Sequence, residues 1–225
     1  MEQLTIHRPL PPAPQAAGEG LLRAHATLQT IPRQGLVYSP GEAPSHLYLV
    51  EQGEVRLSRI TADGRELTLE LAGPGELFGE LEILLRRPRE CQAQARGECT
   101  LWALERGALG ALVERDAGFG RWLTERMGER QSRMQERLET LLFKSANGKV
   151  AQVLLELAGR YGRPTGAGTL IDYPITHQEI GNLIATTRET VSYAFMDLRQ
   201  RGLISTRQRR TIILDADELE ELALS

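Results

Sequence analysis

Cysteine and histidine are scarce in this sequence, and their scarcity excludes several classes of protein. The two cysteines, Cys91 and Cys99, are too few for a disulfide scaffold or a four-thiolate cluster, and they do not form a Cys-x-x-Cys pair. The four histidines are scattered and include no His-x-His pair, so a catalytic metal lacks candidate ligands. The sequence therefore predicts neither a cofactor nor an enzyme.

Long apolar runs are absent as well. No run approaches the roughly 20 apolar residues that a bilayer crossing needs, and the N-terminus lacks the order of a secretory signal. Apolar residues make up 41% of the 225 residues and charged residues 25%, which is typical of a globular chain with one large or two modest domains. We therefore expect a cytoplasmic protein with no membrane partner.

Positive charge is lacking overall, since the formal net charge is −3. The distribution is uneven: residues 145–214 contain 9 basic and 5 acidic side chains, whereas residues 215–225 contain 5 acidic and no basic ones. A local basic excess is what a face that binds a polyanion requires. Residues 145–214 are therefore the candidate region for binding nucleic acid.

Residues 31–116 have the pattern of short antiparallel strands. Leucines alternate with polar positions on both sides of Asp63-Gly64, which is a strong hairpin signal, and glycines recur about every ten residues. This pattern predicts a closed or double-sheet antiparallel barrel. The preceding residues 1–30 include a proline-rich stretch at 9–18, and we interpret them as a flexible lead-in.

A long helix is predicted over residues 117–146. Its apolar stripe repeats at alternating intervals of four and three residues, which is the seam of a two-helix coiled coil, and charged residues fill the other faces. We expect this helix to pair with a second copy in a parallel homodimer; packing of the stripe on the barrel of the same chain is the alternative. The predicted interface residues are Met127, Gln131, Met134, Leu138 and Leu141.

A second module is predicted over residues 147–225. Asn147-Gly148 is a signal for the end or a bend of the preceding helix, and the glycine-rich segment 162–168 is predicted to be a loop. Near the C-terminus, residues 203–214 have the pattern of a two-stranded wing with arginines near its tip. The final acidic segment is interpreted as a short solvated helix.

Two capping signals lie between the loop and the wing. Thr176 with Glu179, and Thr186 with Glu189, have the spacing of capping boxes, and each pair precedes an apolar helical stripe. Two short helices joined by a tight turn near Ala185 form a helix-turn-helix.

The second helix of this motif enters the major groove of DNA by its N-terminus, so its first residues meet base edges. Here Arg188 can donate to guanine O6 and N7, and Glu189 can accept from the amino group of cytosine. The alternatives are that Glu189 only closes its capping box and that Arg188 is solvated. The neighbouring wing arginines favour the DNA-binding interpretation, because they can bind phosphates.

Three segments resemble those of the CRP/FNR family of bacterial transcription regulators. They are ITHQEIGNLIATTRETVSYAFMDLRQRGLIS (175–205), PGELFGELEILL (74–85) and PGEAPSHLYLVEQGEVRLSR (40–59). The resemblance implies an α+β fold with an N-terminal jelly-roll barrel of the cyclic-nucleotide-binding type at 31–116, a dimerisation helix at 117–146 and a C-terminal winged helix-turn-helix at 147–225. The partners implied are double-stranded DNA, a second copy of the chain and RNA polymerase.

The resemblance also implies a two-fold operator with TGTGA-like half-sites. Many members have an arginine where this chain has Tyr193, whose hydroxyl or ring can still contact DNA. The expected base-reading residues are Arg188, Glu189, Ser192 and Tyr193, and the expected phosphate contacts are Thr176, His177, Thr187, Thr190, Arg207, Arg209 and Arg210.

The effector site departs from the family pattern. By count from Gly79, the Arg-Ser pair that binds the cyclic phosphate in nucleotide-binding members falls on Glu90 and Cys91, although a one-residue shift of the loop brings in Arg89. Met134 and Gln135 replace the hydroxyl residues that contact adenine. The candidate pocket residues are Phe78, Gly79, Glu80, Leu81, Arg89, Glu90, Cys91, Met134 and Gln135.

These departures favour a regulator whose effector is absent or is not cAMP, with an unidentified small anion as one option. The alternatives are a regulator that responds to cAMP or to 2-oxoglutarate, and a ligand-binding or interaction module without specific DNA readout. Cys91 is either a redox-active thiol or a small buried side chain.

Overall fold

The computed structural model describes residues 15–62, 64–207 and 210–224. The helices are α1 (Gln15–His25), α2 (Glu80–Leu84), α3 (Arg106–Arg115), α4 (Ala117–Phe143), α5 (Ala146–Tyr161), α6 (His177–Leu183), α7 (Arg188–Gln200) and α8 (Ala216–Ala223). The strands are β1 (Thr27–Ile31), β2 (Leu36–Tyr38), β3 (His46–Gln52), β4 (Val55–Ile60), β5 (Glu66–Ala72), β6 (Leu77–Phe78), β7 (Gln92–Ala95), β8 (Cys99–Glu105), β9 (Gly162–Thr165), β10 (Gly168–Ile171), β11 (Ile204–Arg207) and β12 (Arg210–Ile213).

The chain divides into two compact units. The first contains the described residues up to 55 together with 72–90 and 94–129, and the second contains 56–71, 91–93 and the described residues from 130 onward. Within the part of the chain that the structure describes, no helix is both long and apolar enough to span a membrane.

The N-terminal strands form two four-stranded sheets. One has the order β1-β8-β3-β6 and the other the order β2-β7-β4-β5. In the first sheet, β8 pairs antiparallel with both β1 and β3, with Thr27 opposite Ala103 and Leu47 opposite Leu104. The architecture is a double-sheet jelly roll, so the closed form of the barrel that the sequence allows is not the one observed.

The β4–β5 hairpin has the turn that the sequence predicts. The Thr61 amide donates to the Arg65 carbonyl at 2.8 Å, and Gly64 has a φ of 80°, a left-handed conformation that glycine adopts without strain. Asp63, the other half of the predicted turn signal, lies outside the described residues.

Helix α1 replaces much of the predicted lead-in. Residues 15–25 are helical and residues 27–31 form β1, so the interpretation of residues 1–30 as a flexible lead-in is wrong for this part. The reason is packing: Leu22 is fully buried in the core of the first unit, which also contains Phe119 and Trp122. A Cβ at Gly18 would overlap Cγ of Trp122, so only glycine permits this approach. Residues 1–14 lie outside the described residues.

The boundary between α4 and α5 differs from the predicted one. Helix α4 ends at residue 143, and Ser145 caps α5 by accepting from the Gly148 amide at 3.1 Å. Asn147 and Gly148 therefore lie in the first turn of α5 and do not end the preceding helix. The sequence contains an N-cap serine at this point that outweighs the Asn-Gly turn signal.

The C-terminal strands form a sheet with the order β11-β12-β10-β9. The two-stranded wing is present as β11 and β12, but the segment 162–168, predicted to be a loop, contributes β9 and the start of β10. Helices α5, α6, α7 and α8 pack on this sheet around a core of the second unit. That core includes Val150, Leu154, Leu157, Ile171, Ile180, Val191, Phe195, Leu198, Ile213 and Leu219.

Arg137 on α4 connects two distant segments of the second unit. Its guanidinium donates to the carbonyls of Leu69 and Thr68 in β5 at 2.6 and 2.7 Å, and to the carbonyl of Leu183 at 2.7 Å. Leu183 ends α6, where helix carbonyls lack intrahelical partners and the helix dipole favours a cation. Arg137 therefore caps the first helix of the helix-turn-helix and anchors it to β5.

Candidate functional site

The start of α6 has the predicted capping box. Thr176 Oγ1 accepts from the Glu179 amide at 3.2 Å, and the Thr176 amide donates to Glu179 Oε2 at 2.8 Å. Thr176 is exposed at this helix end, where partly unpaired amides favour a negatively charged partner.

The start of α7 is capped one residue later than predicted. Thr187, and not Thr186, is the N-cap, and its hydroxyl accepts from the Thr190 amide at 3.2 Å. The predicted Thr186–Glu189 capping box is therefore wrong. Because Glu189 is the second residue of the helix, its carboxylate is not used in the cap, which removes the main structural alternative to a DNA-reading role.

The turn between α6 and α7 holds the two helices close together. Ala185 has a φ of 52°, and the Thr186 amide donates to the Gly181 carbonyl at 2.9 Å. A Cβ at Gly181 would lie 2.8 Å from the Thr186 carbonyl oxygen, so a larger residue there would push the turn away. The predicted tight turn near Ala185 is confirmed.

Helix α7 separates a buried face from an exposed one. Val191, Phe195 and Leu198 are buried in the core, whereas Arg188 and Glu189 are exposed and Tyr193 is 69% exposed. Among the described residues, the side chains of Arg188 and Glu189 have no hydrogen bond or ion pair. This exposed face presents donors, acceptors and an aromatic ring at the start of the helix.

Two predicted DNA contacts bind each other. His177 Nδ1 lies 2.8 Å from Ser192 Oγ, and the Ser192 hydroxyl donates to the Arg188 carbonyl at 2.9 Å. The His177 ring also packs on Phe195, with ring centroids 4.4 Å apart. Burial, with smaller contributions from Arg199 and Arg188, lowers the pKa of His177 below its ordinary value, so the neutral ring is favoured.

A basic cluster beside the wing joins the predicted Arg210 to Arg163, which the sequence does not predict as a contact. Arg210 Nη1 and Arg163 Nη2 each lie 2.8 Å from a carboxylate oxygen of Asp172. Both arginines are half exposed or more. Because two arginines share one carboxylate, the cluster has a net positive charge. Arg163 lies in the segment 162–168 that the sequence predicts to be a loop, and no motif there marks it as a binding residue. Arg207 ends β11 opposite Arg210, and Arg209 lies outside the described residues.

The candidate effector cassette, residues 74–91, contains a buried ionic network. Arg89 is 3% exposed; it donates to the carbonyls of Gly79 and His46 at 2.6 Å each and to Glu82 Oε2 at 3.1 Å. Its guanidinium also stacks on Tyr38, 4.1 Å from the ring centroid. The cation of the cassette is therefore held by partners within the chain.

The residue that reaches Gly79 is not the one that the count along the sequence predicts. Arg89, and not Glu90, reaches the Gly79 carbonyl, whereas Glu90 is exposed and pairs with Arg87 at 2.9 Å. A Cβ at Gly79 would lie 3.0 Å from Arg89 Nη1, a tight contact, and the φ of 81° at this position is a left-handed conformation that favours glycine. The position of Arg89 thus corresponds to a one-residue shift from the count, but its side chain is buried and bound within the chain.

The remaining pocket candidates have diverse environments. Phe78 is fully buried, Glu80 is 4% exposed and Leu81 is 40% exposed. Met134 and Gln135 are exposed and belong to the second unit.

Both cysteines are free and buried, and burial raises the pKa of Cys99, so its thiol stays protonated at neutral pH. In the described ranges, no group of His, Cys, Asp and Glu could hold a metal ion.

The predicted dimer stripe on α4 is partly buried at its ends and exposed in its middle. Met127 packs against the core of the first unit, and Leu141 against that of the second. Between them, Met134 is 39% exposed, Leu138 is 49% exposed and Gln131 is exposed. Leu142, which the predicted interface omits, is 72% exposed.

Two family models match the chain. Residues 28–116 match the cyclic nucleotide-binding domain, and residues 148–222 match the Crp-like helix-turn-helix domain. Together, the two matches cover both the jelly roll and the exposed start of α7. They define a class of protein in which a domain of the cyclic nucleotide-binding type is joined to a helix-turn-helix domain.

Individual relatives agree with this class. The chain is 32% identical to a CRP-like cAMP-activated global transcriptional regulator of Mycobacterium tuberculosis, over 85% of this chain and 86% of that protein. It is 35% identical to a cyclic AMP receptor protein of Thermus thermophilus, over 83% of each chain. The crystal structure of a CRP-family transcriptional regulator from Thermus thermophilus has a TM-score of 0.75 and 30% identity, covering 88% of this chain and 97% of that one.

This chain belongs to the CRP/FNR family of bacterial transcription regulators.

Proposed function

We propose that this chain is a homodimeric, sequence-specific regulator that binds a two-fold operator with TGTGA-like half-sites. Residues 31–116 form the sensor domain, residues 117–146 provide the dimer contact, and residues 147–225 bind double-stranded DNA. The protein acts on transcription through RNA polymerase and catalyses no reaction.

The exposed pair Arg188–Glu189 carries this proposal. Both side chains are exposed at the start of α7, and the cap formed by Thr187 leaves the Glu189 carboxylate unused. A bidentate arginine discriminates guanine by about 1–3 kcal/mol, and an adjacent acceptor suits a cytosine amino group. Arg210 and Arg163, near the wing, supply positive charge for phosphate contacts.

The effector part of the proposal rests on the cassette. Because Arg89 is bound to Glu82 and two carbonyls, an anion entering here would have to compete with a buried carboxylate. We therefore propose that DNA binding needs no cAMP. The second candidate is a cAMP-responsive regulator, which the names of the Mycobacterium and Thermus relatives favour. Calorimetry with cAMP and with 2-oxoglutarate separates these cases: absence of binding supports the first, and tight binding of either ligand overturns it.

The DNA part is tested by fluorescence anisotropy with a TGTGA-N6-TCACA duplex and a scrambled duplex of equal length. We expect tighter binding of the operator at every salt concentration, with affinity for both duplexes falling as salt rises. Equal affinity for the two duplexes would leave only nonspecific DNA binding.

The dimer part is tested by Leu138→Arg. Leu138 is 49% exposed in the single chain, and a charge there opposes burial of the stripe against a second copy. We expect sedimentation to show a dimer for the parent protein and a monomer for the variant. Arg133→Ala, an exposed change on the same helix, is the control and should leave the dimer intact. A dimeric Leu138→Arg protein would contradict the proposed interface.

A further inference from the structure

His177 and Ser192 form a hydrogen-bonded chain beneath the reading face of α7. His177 is the first residue of α6, and its Nδ1 lies 2.8 Å from Ser192 Oγ in α7. Ser192 Oγ in turn lies 2.9 Å from the carbonyl oxygen of Arg188, the first residue of α7. The chain therefore links the start of one helix to the first turn of the other.

The number of available protons determines which group donates and which accepts in each of these two hydrogen bonds. A serine hydroxyl has one proton, and the Arg188 carbonyl can only accept, so the hydroxyl proton points to that carbonyl. His177 Nδ1 must then be the donor to Ser192 Oγ. In the neutral ring, this tautomer leaves Nε2 without a proton, so Nε2 can accept a hydrogen bond but cannot donate one to a phosphate.

The same reasoning restricts Ser192. Its only proton is used by the Arg188 carbonyl, and one lone pair is used by His177, so one lone pair is left for DNA. Ser192 can accept from the amino group of cytosine or adenine but cannot donate to guanine or thymine. Ser192, which as a free hydroxyl could donate to a base or accept from one, can therefore only accept.

We propose that His177 is a positioning residue of the DNA-binding site: it donates to Ser192, holds the first turn of α7 in place and makes Ser192 an obligate acceptor. This inference rests on the proposed DNA-binding function, and it replaces the expected phosphate contact of His177. Packing of the ring on Phe195, with the two planes tilted by 37°, restricts rotation of the imidazole.

The first test needs no DNA. In the full chain labelled with 15N-histidine, a long-range 1H–15N spectrum identifies the tautomer of each ring, and His177→Asn identifies the signal of His177. We expect Nδ1 protonated and Nε2 unprotonated in the parent protein, and loss of this preference in Ser192→Ala. An Nε2-protonated ring in the parent protein would overturn the proposal.

The second test uses matched variants of the full chain in operator binding. His177→Phe keeps a ring against Phe195 but removes the donor, whereas His177→Asn supplies an amide donor near the position of Nδ1. For His177→Phe we expect a roughly three- to tenfold loss in the ratio of operator to scrambled affinity, the scale of one hydrogen bond. His177→Asn should restore the ratio. In a double-mutant cycle the losses of His177→Phe and Ser192→Ala should not add: the double variant should lose less than the sum of the two single changes, whereas full additivity would show that the two side chains act independently.

The salt dependence separates positioning from phosphate binding. A positioning role predicts an unchanged slope of log affinity against log salt in His177→Phe. Equal weakening on both duplexes, with a slope reduced by about 1, would show a phosphate contact and overturn the proposal. If the parent protein itself fails to prefer the operator, the proposed function fails, and the tautomer measurement still decides the role of His177.

Discussion

Two regions of this chain each contain an arginine and a glutamate close together, and the two pairs have opposite environments. In the cassette, Arg89 and Glu82 are 3% and 5% exposed and lie 3.1 Å apart. At the start of α7, Arg188 and Glu189 are adjacent and both exposed. The same residue types are internal partners in one region and surface groups in the other.

The difference shows that burial determines whether a charged pair matters for folding or is available for binding a ligand. Removal of one member of a buried pair leaves an uncompensated charge, which costs about 3–5 kcal/mol. An exposed charge contributes little to folding, so it is available to a ligand at small cost. By this criterion the jelly roll depends on keeping both members of the cassette pair together, and the α7 pair is the candidate for binding DNA.

The largest expected effect is on the cassette. Arg89→Met leaves the Glu82 carboxylate buried without its cation, so the free energy of unfolding should fall by about 3–5 kcal/mol, measured by urea denaturation. Arg87→Met breaks the exposed pair with Glu90, and it should change the free energy of unfolding by less than about 1 kcal/mol. Adding Glu82→Leu to Arg89→Met should recover most of the loss. Similar small losses for Arg89→Met and Arg87→Met would contradict the comparison.

An intermediate effect is expected at Arg188. Arg188→Ala should remove about 1–3 kcal/mol of preference for guanine at one half-site position, with unfolding changed by no more than about 0.5 kcal/mol. Competition binding against duplexes with single base-pair changes measures this preference. Arg210→Ala is the control, and it should weaken binding to all duplexes equally and reduce the salt slope by about 1. Uniform weakening by Arg188→Ala would reassign that residue to phosphate.

The smallest expected effect concerns the cap that orients the pair. Thr187→Ala removes the hydroxyl that accepts from the Thr190 amide, and stability should fall by about 1 kcal/mol in thermal unfolding. Thr186→Ala, the change at the neighbouring threonine, should cost clearly less. The reverse order would restore the Thr186–Glu189 capping box and return the Glu189 carboxylate to a structural role.

The sequence predicts the elements whose signals are local. The Thr176–Glu179 capping box, the turn at Ala185 and the hairpin at Gly64 each depend on a few neighbouring residues, and the structure has all three. The second cap is displaced because Thr186 and Thr187 are both suitable, and the spacing to Glu189 favours the wrong one. Only the backbone conformation, which is extended at Thr187, decides between them.

The elements that the sequence does not predict depend on distant partners. Strand β9 has the sequence Gly-Arg-Pro-Thr, which is typical of a loop. It is a strand because β10 pairs with it and β12 extends the sheet. The helical state of residues 15–25 depends on burial of Leu22 beside Trp122. Likewise, the contact of Arg89 with Gly79 depends on the path of the loop, which a count of positions does not describe.

The three carbonyl groups bound by Arg137 lie on both sides of it in the sequence, which permits a stepwise assembly during synthesis. Thr68 and Leu69 precede Arg137 by 69 and 68 residues, whereas Leu183 follows it by 46. A polypeptide growing from its N-terminus can complete the first two bonds before α6 has been synthesised. Helix α6 can then be added to an arginine that is already held in place, and the carbonyl of its final residue completes the three bonds.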